Sequence, residues 1–175
     1  KASIFQNVSG SKYATVTSVS FTAEMKNDFA PFLLPNQYVD YSAAPNSVAK
    51  AKELTKGKKD TLEQVQAIYE FVVDHLTYDK EKAANVKSGY LPVLDTVLAQ
   101  KKGICFDYAA LMAGMLRSQG VPCKLVVGYA GKAYHAWINV YSEETGWVNG
   151  AIYFDGDSWK LMDPTFASSG KQSKE

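Results

Sequence analysis

The sequence predicts an α+β fold in which a buried helix feeds an antiparallel β-sheet. Residues 61–77 and 105–118 carry apolar side chains at helical spacing, and after Gly120-Val121-Pro122 the pattern changes to short β-rich runs. With 175 residues, 46% of them hydrophobic, the chain can build one sizeable core and is too short to expect two. It therefore reads as a single domain over 1–175, with an N-terminal β element and extended strap in 1–46 and the main core in 47–175.

Taken in order, residues 12–25 (KYATVTSVSFTAEM) place Tyr13, Val19, Phe21, Ala23 and Met25 on one parity, as a strand over a half-buried face would. The stretch 29–46 carries three prolines among scattered aromatics and suits a strap packed across the surface, to which no chemistry is assigned. Ser47 to Thr55 forms a short helix closed by Gly57. Asp60 with Glu63 makes a capping box that opens a helix over 61–77, built on Leu62, Val65, Ile68, Tyr69, Val72, Val73 and Leu76. Asp95 caps the short helical turn TVLAQ, which leads through Lys101-Lys102-Gly103 to Cys105. Beyond the cysteine, Ala109, Leu111, Met112, Met115 and Leu116 give the stripe of a buried helix that Gly120 and Pro122 stop. KLVVGYA, AYHAWINVYS, GWVNGAIYF and SWKLMD then follow as strands separated by hairpin turn residues.

Lys and Arg number 19 against 18 Asp and Glu, so no broad basic field exists for nucleic acid or an anionic membrane. The densest basic run, Lys50 to Lys59, reads as a solvated helix end rather than a binding patch. No stretch approaches the roughly 18 continuous apolar residues of a membrane span. The chain opens at Lys1 without a methionine or an apolar leader, which predicts a mature or trimmed chain and leaves its compartment open.

Two cysteines make neither a disulfide framework nor a four-ligand zinc site, and with only His75 and His135 beside them no metal or other cofactor is expected. A bridge between Cys105 and Cys123 is not expected either. A helix over 105–118 spans about 20 Å, whereas a disulfide needs its Cα atoms within about 7 Å.

Cys105 stands where a loop becomes a helix. A helix N-terminus offers unpaired N–H groups and a partial positive charge, which favour a thiolate and can later hold an oxyanion. One position can therefore supply both the nucleophile and the donors for acyl transfer. Alone, Cys105 reads equally as a small apolar residue at a helix start. A base is available in His135, on a strand expected to pack against this helix with Trp137 and Asn139 on the same face. His75, late in an amphipathic helix, is a competitor better read as a helix-end histidine. Asp163, closing SWKLMD before Pro164, can orient the imidazole at the sheet's rim or simply form an Asp-Pro turn. The order Cys, His, Asp is coherent as a triad.

Gly103-Ile104-Cys105-Phe106-Asp107-Tyr108-Ala109, with Leu111, Leu116 to Pro122 and Val127-Gly128-Tyr129, resembles the nucleophile segment of the transglutaminase-like superfamily. His135-Ala136-Trp137 with Val140-Tyr141 resembles its histidine strand, and Gly146-Trp147 with Asp163-Pro164-Thr165 its aspartate motif. The N-terminal hundred residues carry a looser likeness, chiefly Leu76-Thr77-Tyr78. The resemblance implies a papain-like, transglutaminase-like core over 47–175, with the nucleophile helix packed on an antiparallel sheet. It implies that Cys105 attacks a carboxamide or peptide carbonyl, that His135 shuttles the proton and that Asp163 orients the imidazolium.

Tyr78, Tyr129 and Trp137 are expected around the groove, although aromatic residues beside such a strand also serve as core. The backbone N–H of Cys105 is the expected oxyanion donor, Gly103 is expected to let the backbone approach the substrate carbonyl, and Asp107 to favour the helix terminus. The chain shows no calcium loop, and Asp155-Gly156-Asp157 reads as a hairpin turn. The expected substrate is a peptide or protein amide, with water favoured over an amine as the resolving group because no second site for an amine is evident. Amine transfer and a non-catalytic surface module on the same fold are the alternatives. Family members of this kind suggest a bacterial, secreted protein, extracellular or associated with the cell wall or surface.

Overall fold

The computed structural model describes residues 1–25, 27–130, 133–148, 152–154 and 159–161, with residues 130, 133, 134, 152–154 and 159–161 described by their backbone alone. Asp163, the Asp155-Gly156-Asp157 turn and the last residues of the chain lie outside the described residues.

The organising element is α6, Cys105–Ser118. Its stripe of Leu111, Met112, Met115 and Leu116 extends to nearly every position, since Ala109, Ala110, Ala113 and Tyr108 are also fully buried. A helix apolar all round must be enclosed on all sides. Helices α2 (Pro45–Leu54), α3 (Thr61–His75) and α5 (Leu94–Gln100) cover one side, and strands β5 (Cys123–Ala130) and β6 (Ala133–Ser142) the other. Small residues permit the close approach. Gly114 meets α5 so tightly that a Cβ there would lie 2.5 Å from the Leu94 Cδ1.

The sheet is a meander in the order β5-β6-β7, all antiparallel, with β7 at Gly146–Val148. Its register runs without interruption from Cys123 opposite Val140 to Ala130 opposite Ala133. Alternation places Ala136, Ile138 and Val140 in the core around α6. Trp137 and Asn139, which share the parity of His135 as expected, alternate with these core residues and are half-buried. A separate antiparallel pair, β8 (Ile152–Phe154) and β9 (Trp159–Leu161), follows.

The N-terminal strand differs from expectation. Lys12–Val19 (β2) pairs with an unanticipated β1, Ala2–Ser9, through a turn at Gly10, where φ is +54°. Every residue of the hairpin is exposed, including Ile4, Phe5 and Val16, so the alternation does not mark a half-buried face. The two strands satisfy their ladder with each other, and pairing replaces burial. The chain beyond Val19 has no regular structure through Met25.

The strap is more than a surface band. It holds a short helix, α1 (Ala30–Leu33), and a 3-10 turn at Tyr41–Ala43, and it sends Val39 and Ala44 into the core. Arg117, near the end of α6, ties it down: the buried guanidinium donates to the carbonyls of Cys123 (2.9 Å) and Leu34 (3.0 Å).

Two helix starts illustrate local and distant capping. The Asp60 carboxylate accepts from the Leu62 N–H at 2.6 Å, a local cap. Asp95, expected to cap its own helical turn, does not: α5 begins at Leu94 with Val93 as its cap position. Its carboxylate instead accepts from the backbone N–H groups of Asn46 (3.0 Å) and Ser47 (2.8 Å) and from both their side chains, closing the N-terminus of α2. Burial alone would raise the Asp95 pKa, but these bonds outweigh it and hold it below the usual value.

The approach to Cys105 is fixed by a short parallel pair between β3 (Thr77–Tyr78) and β4 (Lys102–Gly103). The Asp79 N–H donates to the Gly103 carbonyl at 2.9 Å, setting the segment after α3 beside the start of α6.

Candidate active site

Cys105 is the first residue of α6, half-buried, and follows an extended Ile104. It lines a cleft of about 660 Å³ together with His135 on β6. The cleft's other walls come from α6 itself (Phe106), from β5 (Leu125 and Val127), from the strap (Tyr38) and from the segment after α3 (Tyr78, Val86, Tyr90). This volume lies within the range of about 300–1,000 Å³ typical of small-molecule sites, and the lining is mostly apolar and aromatic with few polar groups.

His135 is buried, with 7% exposure, and sits opposite Gly128 in the β5–β6 ladder. A strand inside a sheet holds an imidazole at a fixed depth. A thiol and an imidazole lining one largely apolar cleft are the two groups needed for nucleophilic attack and proton transfer.

The remaining candidates divide. Tyr78 lines the cleft. Tyr129 and Trp137 do not: Tyr129 is 74% exposed, and the Trp137 indole lies so close over Gly128 that a Cβ there would stand 3.1 Å from its ring. Tyr129 shares the strand parity of Leu125 and Val127, which line the cleft, but lies beyond the lining toward the end of β5. His75 serves the fold: its Nε2 donates to the Leu98 carbonyl at 2.9 Å and its ring stacks on Phe71. Both thiols are free, and full burial pushes the Cys123 pKa up to about 12, which makes that sulfur a core atom. Asp163 lies outside the described residues.

Asp107 has no exposed surface. Its Oδ2 accepts from the Ile104 N–H at 2.8 Å and from the Lys82 ammonium at 2.6 Å, and its Oδ1 accepts from the Tyr90 hydroxyl at 2.5 Å. The cap on Ile104 agrees with the expected role at the helix terminus. Burial alone would lower the Lys82 pKa, but its bonds to Asp107 and Tyr90 outweigh that and raise it. Burial raises the Tyr90 pKa, as does its bond to the Asp107 carboxylate, against an opposing effect of Lys82.

Gly103 has a structural reason of its own. It is buried, and a Cβ there would stand 2.6 Å from the Asp107 Cβ and 2.9 Å from its Oδ2. The glycine makes room for the carboxylate.

Tyr38, Lys82, Lys87 and Tyr90 were not singled out by the sequence. Tyr38 and Tyr90 lie in stretches without period, and Lys82 is one of several lysines in a polar run. The available signal was Asp107 itself, since an acid inside an apolar helix stripe calls for a cation nearby.

Among the described residues no group of His, Cys, Asp and Glu is arranged to hold a metal ion, and no helix is long and apolar enough to cross a membrane.

Residues 48–164 match the core of the transglutaminase-like superfamily. The chain is 31% identical over 116 residues to mouse kyphoscoliosis peptidase, covering 66% of this chain and 17% of that protein. It is 28% identical over 120 residues to a protein-glutamine gamma-glutamyltransferase of Pseudomonas aeruginosa, covering 60% of this chain and 18% of that one. The chain thus spans less than a fifth of either relative. Its fold is similar to that of a protein from Cytophaga hutchinsonii provisionally assigned as a cysteine protease, with a TM-score of 0.58 and 20% identity over 81% of this chain and 43% of that one. It is also similar to the periplasmic domain of TgpA from Pseudomonas aeruginosa, with a TM-score of 0.54 and 22% identity over 75% of this chain and 46% of that one. With a helix-borne cysteine packed on an antiparallel sheet that carries the histidine, and with two thirds of its length matched, this α+β chain belongs to the transglutaminase-like superfamily.

Proposed function

We propose that the protein is a thiol enzyme that cleaves amide bonds of peptides or proteins through a thioester on Cys105. The observation that carries this reading is that Cys105, at a helix start, and His135 line one cleft. In the proposed reaction the Cys105 sulfur gives up its proton to His135 and attacks the carbonyl carbon. The resulting oxyanion is held by the backbone N–H of Cys105, one of the first donors of α6. Collapse expels the amine, which takes the proton from His135, and leaves the thioester. Water, deprotonated by His135, attacks the thioester and releases the acid and the thiol. Asp163 is assigned the part of holding the imidazole in its working tautomer.

The lining fits a peptide with apolar side chains. Tyr38, Phe106, Leu125 and Val127 offer it apolar contact, and Lys87 is the one basic side chain besides His135 among the described lining residues. Water is taken as the acceptor in this reading. Transfer to an amine is the second reading, supported by the likeness to a gamma-glutamyltransferase. Extracellular or cell-surface placement belongs to the proposal, and labelling of intact cells with an impermeant amine reagent tests it.

The reaction is tested by incubating peptide and cell-wall-derived amides, with and without a labelled primary amine, with wild type and Cys105→Ala, and reading products by mass. A hydrolysed product formed by wild type alone supports the proposal. Coupling in excess of hydrolysis replaces it with amine transfer, and no difference from Cys105→Ala refutes both and leaves the fold as a binding module.

A further inference from the structure

Helix α4 (Lys80–Asn85) and the segment that follows it to Tyr90 form one wall of the cleft, yet α4 contains no buried residue. A helix that buries no apolar side chain gains little from hydrophobic packing, and α4 is tied to the body through polar bonds at Asp79 and Lys82. Asp79 begins it, accepting from the Lys82 N–H at 2.9 Å and pairing with Lys102 at 3.2 Å. Lys82 and Tyr90 continue it, both bonded to the buried Asp107 carboxylate, with the Lys82 ammonium also 2.6 Å from the Tyr90 hydroxyl and 4.3 Å from its ring centroid. Asp107 in turn accepts from the N–H of Ile104, the residue immediately before Cys105.

We propose that Asp107, Lys82 and Tyr90 are positioning residues that lock the substrate wall of the cleft to the peptide bearing the nucleophile. The proposal rests on Cys105 being that nucleophile. One carboxylate serves both parts, so the distance from Cys105 to the wall is set by bonds of 2.5–2.8 Å that meet at Asp107. Tyr90 has two functions that separate chemically. Its ring faces the cleft and meets Phe106 edge-on at 6.3 Å between centroids, while its hydroxyl is held from behind by the carboxylate. Lys82 cancels the buried charge, which would otherwise be costly.

Tyr90→Phe keeps the ring and removes the hydroxyl, and two readouts follow its effect. The first is amide hydrogen exchange of Ala83 and Val86, whose N–H groups bond the carbonyls of Asp79 and Lys82, and of Ile104. A hydrogen bond to a charged group corresponds to roughly a tenfold or greater change in an equilibrium constant. Exchange at Ala83 and Val86 is therefore expected to quicken about tenfold, while core amides of α3 keep their rates. The second is alkylation of Cys105 by iodoacetamide and by a chloroacetyl-phenylalanyl dipeptide. The small reagent needs no wall and is expected to react within about twofold of wild type, whereas the peptide reagent is expected to lose about tenfold. Asp107→Asn should quicken exchange at Ile104 as well and slow both alkylations. Unchanged exchange in Tyr90→Phe, or equal loss for the two reagents, overturns the proposal. If Cys105 of wild type reacts no faster than free cysteine, the nucleophile reading fails while the exchange data still decide whether the wall is locked.

Discussion

Gly103→Ala introduces one methyl group at the point where the route to the nucleophile meets the buried acid. The new Cβ would stand 2.6 Å from the Asp107 Cβ, 2.9 Å from Oδ2 and 3.1 Å from Cγ, against an optimal carbon separation of about 3.5–4.0 Å. Relief requires a movement of about 1 Å. Asp107 yields only by stretching its bonds to the Ile104 N–H and Lys82, now 2.8 and 2.6 Å, beyond useful length. Gly103 itself is fixed by its carbonyl, which accepts from Asp79, and by its pairing with Tyr78. Overpacking costs about 1–3 kcal/mol and a lost hydrogen bond to a charged group about 1.5–3 kcal/mol, so the substitution is expected to cost about 3–5 kcal/mol. For a chain of this size each kcal/mol moves the Tm by roughly 2–4 °C, giving a fall of about 10 °C.

Gly120→Ala is the control. Its φ of +85° strains any L side chain, but no atom lies within 4 Å of the added Cβ. Backbone strain alone costs about 1–2 kcal/mol there. Urea unfolding followed by circular dichroism compares the two variants. If Gly103→Ala is no less stable than Gly120→Ala, the carboxylate is free to move aside and the steric account of the glycine is wrong.

In the native protein, iodoacetamide near neutral pH is expected to label Cys105 and to leave the buried Cys123 unmodified until the chain unfolds, as read by peptide mapping; equal labelling refutes the assignment of Cys123 to the core. Asp95→Ala removes the cap of α2 and is expected to cost about 1–2 kcal/mol at neutral pH. Because the folded-state pKa of Asp95 lies below its usual value of 3.8, that contribution is complete above 3.8 and fades as the pH falls through the folded value, so the Tm gap between wild type and variant closes in acid. A gap that persists below both values contradicts this. Tyr129→Ser changes an exposed side chain outside the cleft lining, and its peptide-cleaving rate is expected to stay within about twofold of wild type; a large loss returns Tyr129 to the substrate path.

What the sequence made legible was whatever is periodic or locally capped. Helix α6 spans the expected 105–118 because its apolar stripe is continuous and Gly120 with Pro122 ends it, and β6 spans Ala133–Ser142 because turn residues bracket an uninterrupted β-rich run. Asp60 acts on its own helix as expected, although through the Leu62 N–H and not through a box with Glu63. Asp95 looks the same in sequence, but its partners lie 48 and 49 residues away, and nothing local distinguishes a carboxylate that caps the next turn from one that reaches another helix. The hairpin strand β1 went unread because ASIFQNVS has no clean alternation, and its partner's alternation suggested a burial that pairing made unnecessary. At the site, the Cys105 and His135 positions were legible from residue type and order. The wall was not, because Lys82 and Tyr90 are tied beside the cleft by an acid that lies 25 and 17 residues further along the chain, and nothing local points to it.

That asymmetry gives Gly103-Ile104-Cys105-Phe106-Asp107 a structural meaning beside the chemical one. The glycine two residues before the cysteine and the acid two residues after it occupy adjoining space, and each restricts the other. Ile104, between glycine and cysteine, gives its N–H to that same acid. The cysteine is therefore held on both sides by groups that need not touch a substrate. Lys82 matches the buried carboxylate with a cation, so the acid adds little net charge beside the thiol. It follows that substitutions at Gly103, Asp107 or Lys82 should lower stability and reactivity together, whereas Cys105→Ala should abolish reaction with little change in unfolding. A variant of Gly103 or Asp107 that lost reactivity at full stability would show that these residues act on the substrate directly, and the steric and electrostatic reasoning for the segment would have to be abandoned.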